Sequence, residues 1–379
     1  MRARDLGIPF DGTPGPTNSL LDVAGIEIGM VTLIEGDGPL IPDNGPVRTG
    51  VTAILPVGKQ RVRDAVPAAI YSLNGNGEMT GSHWIKETGG LSGPIMITNT
   101  HAVGPVHRGV IEWTKQNFPE AAIEWLLPVV AETWDGYLND INGPHVTPQH
   151  SVEAINSASR NPIQEGSFGG GTGMNCYGYK GGNGTSSRQV DFGGQTYTVA
   201  AFMQCNFGSR DELRIAGVSM RGLDVPNPLG ENDWLERDKQ RAVPGGAGSV
   251  IAVIATDAPL LPNQCEALAR RVSLGLARTG TTGGHFSGDI FIAFSTACAG
   301  ALSSGFPESS RKIAKLQQLD FVPWNYMDHF YTATVQAVEE AVINSLVCNE
   351  TMVGRDGNTS PALPHELVKA RVAKFAVDN

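Results

Sequence analysis

Residues 242–256 read AVPGGAGSVIAVIAT, a proline- and glycine-rich turn that runs straight into an apolar segment. Val250 to Ala255 is a run of β-branched residues and alanine, bounded by turn residues before it and by Thr256-Asp257 after it. That pattern predicts a strand buried on both faces, with Ser249 as a hydroxyl at its mouth. Gly248 carries no side chain, so the peptide before Ser249 reaches conformations closed to other residues. A serine hydroxyl beside such a bond can attack the preceding carbonyl and form an ester that water cleaves. The new chain then begins at Ser249, and its α-amino group, which titrates at about 7.7 to 8.0 when unperturbed, can serve as base for its own hydroxyl. Taken alone, Gly248-Ser249 reads as a plain loop-to-strand junction.

Outward from this point the chain alternates apolar runs with turns. Strands are expected at Ile26–Gly29, Met30–Ile34, Val51–Val57, Ala68–Leu73, Pro94–Thr98, Leu126–Val130, Tyr197–Cys205 and Ile290–Phe294. Helices are expected at Gly109–Phe118, Leu261–Arg278 and Asn325–Asn349, each with apolar residues at three-to-four spacing. Gly75–Gly81 (GNGEMTG) lacks the GxGxxG spacing of a dinucleotide site and reads as a turn, and the glycine-rich Glu165–Gly173 lacks the Lys-Ser/Thr of a phosphate loop. Gly222–Ala247 is polar and rich in proline and glycine, the composition of a surface connector. Many strands before Ser249, with two strands and two helices after it, predict an α/β sandwich of two sheets flanked by helices in one catalytic domain.

Two stretches, 242–264 (AVPGGAGSVIAVIATDAPLLPNQ) and 273–297 (SLGLARTGTTGGHFSGDIFIAFSTA), resemble the junction and second chain of one group of self-processing enzymes. These are the L-aminopeptidase/D-amino-acid esterase-amidases and β-peptidyl aminopeptidases. Residues 2–29, 169–188 (GGGTGMNCYGYKGGNGTSSR) and 335–354 (VQAVEEAVINSLVCNETMVG) resemble the same family in the same order, so the likeness spans nearly the whole chain. The resemblance implies a four-layer αββα body like that of the N-terminal-nucleophile hydrolases, with its own connectivity. It also implies cleavage into residues 1–248 and 249–379, which stay associated, and a homotetramer of such αβ units.

The residues to which the chemistry falls can then be named. Ser249 is the nucleophile. Ser287 and Asp289 are two apart, so on a strand they face one side, and a carboxylate orienting one serine that orients another is a relay without histidine. The family has a glutamate where Asp289 stands; the aspartate is one methylene shorter, so either the strand comes closer or a water intervenes. Asn206, at the end of the Tyr197–Cys205 strand, matches an asparagine that serves the oxyanion, although by itself it reads as a turn residue before Gly208. Glu132 matches a carboxylate that holds the substrate's free amine, and Tyr137 would border the same pocket. A rival triad of Ser249, His285 and Asp289 is disfavoured because neighbours on one strand point in opposite directions.

Composition narrows the partners. A formal charge of −10 argues against nucleic acid. No stretch reaches the roughly 18 apolar residues of a membrane helix. The five cysteines are widely spaced and lack a CxxC, and the histidines lack HExxH, so neither a disulfide framework nor a metal site is expected, and no cofactor is called for. A cytoplasmic setting follows, or a periplasmic one if a leader has been removed. The reading is a serine aminopeptidase or amidase acting on small peptides, amino-acid amides or esters, with β-amino residues among the candidates. An acyltransferase of the same self-cleaving design and an unprocessed binding protein are the alternatives.

Overall fold

A computed structural model of the chain describes residues 1–231, 248–304 and 316–378. Ten strands build its two main sheets: β1 (Glu27–Glu35), β2 (Val47–Leu55), β3 (Val66–Ser72), β4 (Gly90–Leu91), β5 (Ile95–Asn99), β6 (Val129–Thr133), β7 (Gly182–Phe192), β8 (Gln195–Asn206), β9 (Gly248–Thr256) and β10 (Ser287–Ser295). One sheet has the order β1-β2-β5-β6 and the other β4-β3-β10-β9-β8-β7. Four helices flank them: α1 (Val103–Asn117), α2 (Pro148–Ser157), α3 (Pro262–Arg278) and α4 (Met327–Val347).

Three apolar layers explain the stacking. Ile251, Val253 and Ala255 of β9 and Ile292 of β10 meet Ile95, Ile97 and Ala131 of the other sheet, which closes the two sheets face to face. The alternate residues Val250, Ala252 and Ile254 face Leu268 and Val272 of α3 and Val338 and Val342 of α4. Val51, Ala53, Met96 and Val130 pack against Val106, Val110 and Trp113 of α1 and Val152 of α2. The order is therefore helix, sheet, sheet, helix. Strand β9 carries apolar residues on both faces because both are interior, as its unbroken apolar run predicts. No helix among the described residues is long and apolar enough to cross a membrane.

Several boundaries differ from the sequence reading. Ile26–Gly29 and Met30–Ile34 form one strand. The strand expected at Leu126–Val130 begins at Val129 and runs through Glu132, while Trp125 and Leu127 are exposed. Helix α1 starts six residues earlier than expected, because Pro105 falls in its first turn, where a missing N–H costs little. Residues 232–247 of the expected connector lie outside the described residues.

Strand β7 has no apolar signature in the sequence because much of it is polar and buried on both faces: Asn183, Thr185, Ser186, Ser187 and Arg188 are all buried. Small residues there let α4 come close. A Cβ on Gly184 would strike the Ala341 carbonyl, and Ser186 Oγ donates to the Ala337 carbonyl at 2.6 Å. Arg188 is held by Glu340 at 2.7 Å, and Glu340 also accepts from Arg4 at 2.8 Å and from Asn18 at 2.6 Å. Burial alone would raise the Glu340 carboxyl, but the bond from Arg4, the charge of Arg188 and the bond from Asn18 reverse this and lower it. Replacing Glu340 with alanine leaves Arg188, 1% exposed, without its counter-charge. A loss of about 3–5 kcal/mol in chemical denaturation is expected, and an unchanged midpoint would refute the account.

Candidate active site

Ser249 is 2% exposed, and its position is set by two neighbours in the six-stranded sheet. Across the antiparallel ladder it faces Asn206 of β8, and across the parallel ladder Gly288 of β10. Two donors converge on its hydroxyl oxygen: the backbone N–H of Trp134 at 3.1 Å and the Asn206 Nδ2 at 3.4 Å. The second is long for a resting hydrogen bond, as donors built for a reacting state often are. The Asn206 amide has one orientation available, because its Oδ1 accepts the Asn175 N–H at 2.9 Å and so leaves Nδ2 toward Ser249. Trp134 follows β6, so the four-stranded sheet supplies one donor and the six-stranded sheet the other. Gly248 has a packing reason beside any conformational one, since a Cβ there would strike the Asn206 carbonyl.

Ser287 and Asp289 share a face, and Ser287 Oγ donates directly to Asp289 Oδ1 at 2.5 Å. The shorter acid thus reaches its serine without an intervening water. The ladder pairs Ser287 with Gly248 and Asp289 with Val250, so strand alternation sets this pair beside the Gly248–Ser249 peptide and on the face opposite to the Ser249 side chain. Burial raises the Asp289 carboxyl, opposed by hydrogen bonds from Ser287, from Asn74 and from the Val250 backbone. Its proton affinity is therefore higher than that of a surface aspartate.

Glu132 is 3% exposed at the end of β6. One oxygen accepts the Glu78 N–H at 2.9 Å and the other accepts the Thr100 hydroxyl. Burial raises its carboxyl, while these two bonds act in the other direction. The loop that reads as a simple turn in the sequence joins the two acids. Asn74 Nδ2 donates to Asp289 Oδ2 at 3.2 Å, and Asn74 Oδ1 accepts the Asp289 N–H at 2.9 Å. Gly77 sits between the two, where a Cβ would lie 3.0 Å from Gly288 Cα and 3.2 Å from Glu132 Oε1.

The other sequence candidates lie apart from this cluster. The Tyr137 hydroxyl donates to the Thr359 carbonyl at 3.3 Å. His285 is exposed with its ring against Phe286 at 5.0 Å, and the Ser249 hydroxyl is instead met by Trp134 and Asn206. Among the described residues no group of three or more His, Cys, Asp or Glu side chains is placed to hold a metal ion. Two surface hollows, of about 410 and about 790 Å³, are lined by other residues, and the larger reaches the site's edge through Gly77 and Glu78. Sequence reasoning missed the Trp134 N–H, a backbone donor that no side-chain identity announces. It also missed Asn74, Asn175 and the Gly77 spacer.

Chemically, the cluster offers an enclosed hydroxyl, two converging N–H donors, an acid with raised proton affinity beside the peptide that precedes the hydroxyl, and a second buried carboxylate. Comparison with known proteins agrees in kind. Residues 18–360 match peptidase family S58. The chain is 46% identical over 379 residues to the β-peptidyl aminopeptidase BapA of Sphingosinicella microcystinivorans, covering 99% of this chain and 92% of that one. It superposes on the L-aminopeptidase D-Ala-esterase/amidase of Ochrobactrum anthropi with a TM-score of 0.87 and 42% identity over 99% of both chains; that enzyme is described as a prototype serine aminopeptidase and a variant of the Ntn hydrolase fold. A β-aminopeptidase from Burkholderia sp. gives a TM-score of 0.86 and 39% identity over 99% of both chains.

Proposed function

This chain belongs to peptidase family S58, and from that membership we propose that Ser249 is the nucleophile of a self-processed serine aminopeptidase. The convergence of the Trp134 and Asn206 donors on the Ser249 hydroxyl carries the proposal. In processing, Ser249 Oγ adds to the Gly248 carbonyl carbon, the Gly248–Ser249 C–N bond breaks, and the nitrogen leaves as the new α-amine. Water then hydrolyses the Gly248 ester, giving chains 1–248 and 249–379 whose strands β8, β9 and β10 remain laddered in one sheet.

In turnover, Ser249 Oγ attacks the carbonyl after a substrate's N-terminal residue, the amine or alcohol leaves protonated, and water releases the acyl group. Two N–H donors aimed at one oxygen suit the charge that develops on the tetrahedral intermediate. Ser287 and Asp289 flank the Gly248–Ser249 peptide on the face away from the Ser249 side chain, so their role is to take up or return a proton beside that peptide rather than to touch the Ser249 hydroxyl. Glu132 holds the substrate's ammonium. Substrates are small peptides, amino-acid amides or esters, with β-amino residues in keeping with the relatives' names. Four such units form the working assembly, and the five free thiols suit a reducing cytoplasm.

A denaturing mass spectrum of the purified wild type, with turnover of L-alanine and β-alanine p-nitroanilides, tests the reading. Two polypeptides, one starting at Ser249, together with release of p-nitroaniline from either substrate, are expected. A single inert chain would overturn it.

A further inference from the structure

Lys180 is fully buried, which is rare for a lysine. Its Nζ donates to the carbonyls of Met174 at 2.8 Å and Gly181 at 2.7 Å. The Met174 carbonyl already accepts the Gly181 N–H at 2.9 Å, so the ammonium is not needed to satisfy it. What the ammonium adds is positive charge on that oxygen.

The Met174 carbonyl and the Asn175 N–H belong to one peptide group. That N–H grips Asn206 Oδ1 at 2.9 Å, and Asn206 Nδ2 points at the Ser249 oxygen. A continuous line of polarisable amides therefore runs from the Lys180 ammonium to the nucleophile. A cation on the carbonyl oxygen draws electron density through the peptide and strengthens its N–H as a donor. The same effect passes through the Asn206 amide to its Nδ2, and hydrogen bonds in series reinforce one another where the dielectric is low. We infer that Lys180 is a positioning residue that acts through the Met174–Asn175 peptide and Asn206 to fix and strengthen the oxyanion donor at Ser249.

The neighbouring charges fit this role. Burial brings the lysine down to about 7 and raises the nearby Asp135 carboxyl to about 7, and the interaction with Asp135 opposes the fall of the lysine. Asp135 is itself buried and follows Trp134, the residue that supplies the other donor.

The inference rests on Ser249 being the nucleophile, and the test separates the two claims. In Lys180→Met, self-cleavage and kcat for the alanine p-nitroanilides should fall about 10- to 100-fold with KM within about twofold, because the strengthened donor serves the charged intermediate. In an Asn206→Ala background the same substitution should add less than about threefold, since its route to Ser249 is gone. If Lys180→Met fails to fold because Asp135 is left unpaired, the neutral double variant Lys180→Met/Asp135→Asn, compared with Asp135→Asn, carries the same expectation. Equal kcat with and without Lys180, or a full effect in the Asn206→Ala background, overturns the inference while leaving Ser249 as nucleophile. A wild type that neither processes nor turns over removes both.

Discussion

Ser249→Ala is expected to remain a single polypeptide of 40.1 kDa and to lose turnover of amino-acid p-nitroanilides by on the order of 10⁴-fold or more. The size of the effect follows from one atom serving two reactions. The same Oγ is needed to add to the Gly248 carbonyl and, later, to the substrate carbonyl, and the substitution deletes it while leaving everything around it in place. Structural disturbance should be small, because β9 is held by its ladders to Asn206 and the rest of β8 on one side and to β10 on the other, and by apolar residues on both faces. Thermal unfolding of the variant should therefore stay close to that of an unprocessed wild-type precursor. An intact Ser249→Ala chain that turns over at the wild-type rate would exclude Ser249 as nucleophile. Cleavage at 248–249 in the variant would show that another agent cuts the chain.

The contrast between what could and could not be read beforehand is physical. Strand β9 was legible because an interior strand must be apolar on both faces, and Ser249 stood out as the first polar group on it. Asn206 was legible as an amide at the end of a core strand, although only the ladder with β9 shows that it faces Ser249. Strand β7 was not legible, since it is covered by a helix that approaches its glycine and serine residues so closely that large apolar side chains have no room. The Trp134 donor belongs to the backbone and leaves no trace in residue identity. Lys180 and Asp135 lie 45 positions apart, and nothing in the local pattern of either predicts a fully buried charge. The faces of Ser287 and Ser249 depended on register: spacing put Ser287 and Asp289 together, but only the pairing of Ser287 with Gly248 shows that they flank the Gly248–Ser249 peptide instead of the Ser249 hydroxyl.

Glu132→Gln should raise KM for substrates with a free amine about 10- to 100-fold, the worth of one charge-assisted contact of about 1.5–3 kcal/mol, with a smaller change in kcat. The glutamine side chain would keep the shape of the original and an oxygen for the Glu78 N–H or the Thr100 hydroxyl, so the loop through Gly77 is retained while the negative charge is lost. The pH dependence supplies a second reading of the same group. Burial raises the Glu132 carboxyl, so it becomes the required anion only above the ordinary glutamate value of about 4.3. The acidic limb of kcat/KM in the wild type should accordingly lie above that value, and substrate binding should weaken as pH falls through it. In Glu132→Gln that limb should flatten, because no proton is left to be taken up at this position. An N-acetylated substrate provides the control: it carries no ammonium, so wild type and Glu132→Gln should handle it equally poorly. A variant with wild-type KM for free-amine substrates and an unchanged acidic limb would remove Glu132 from the amine site and send the search to the other carboxylate bordering this loop, Glu78.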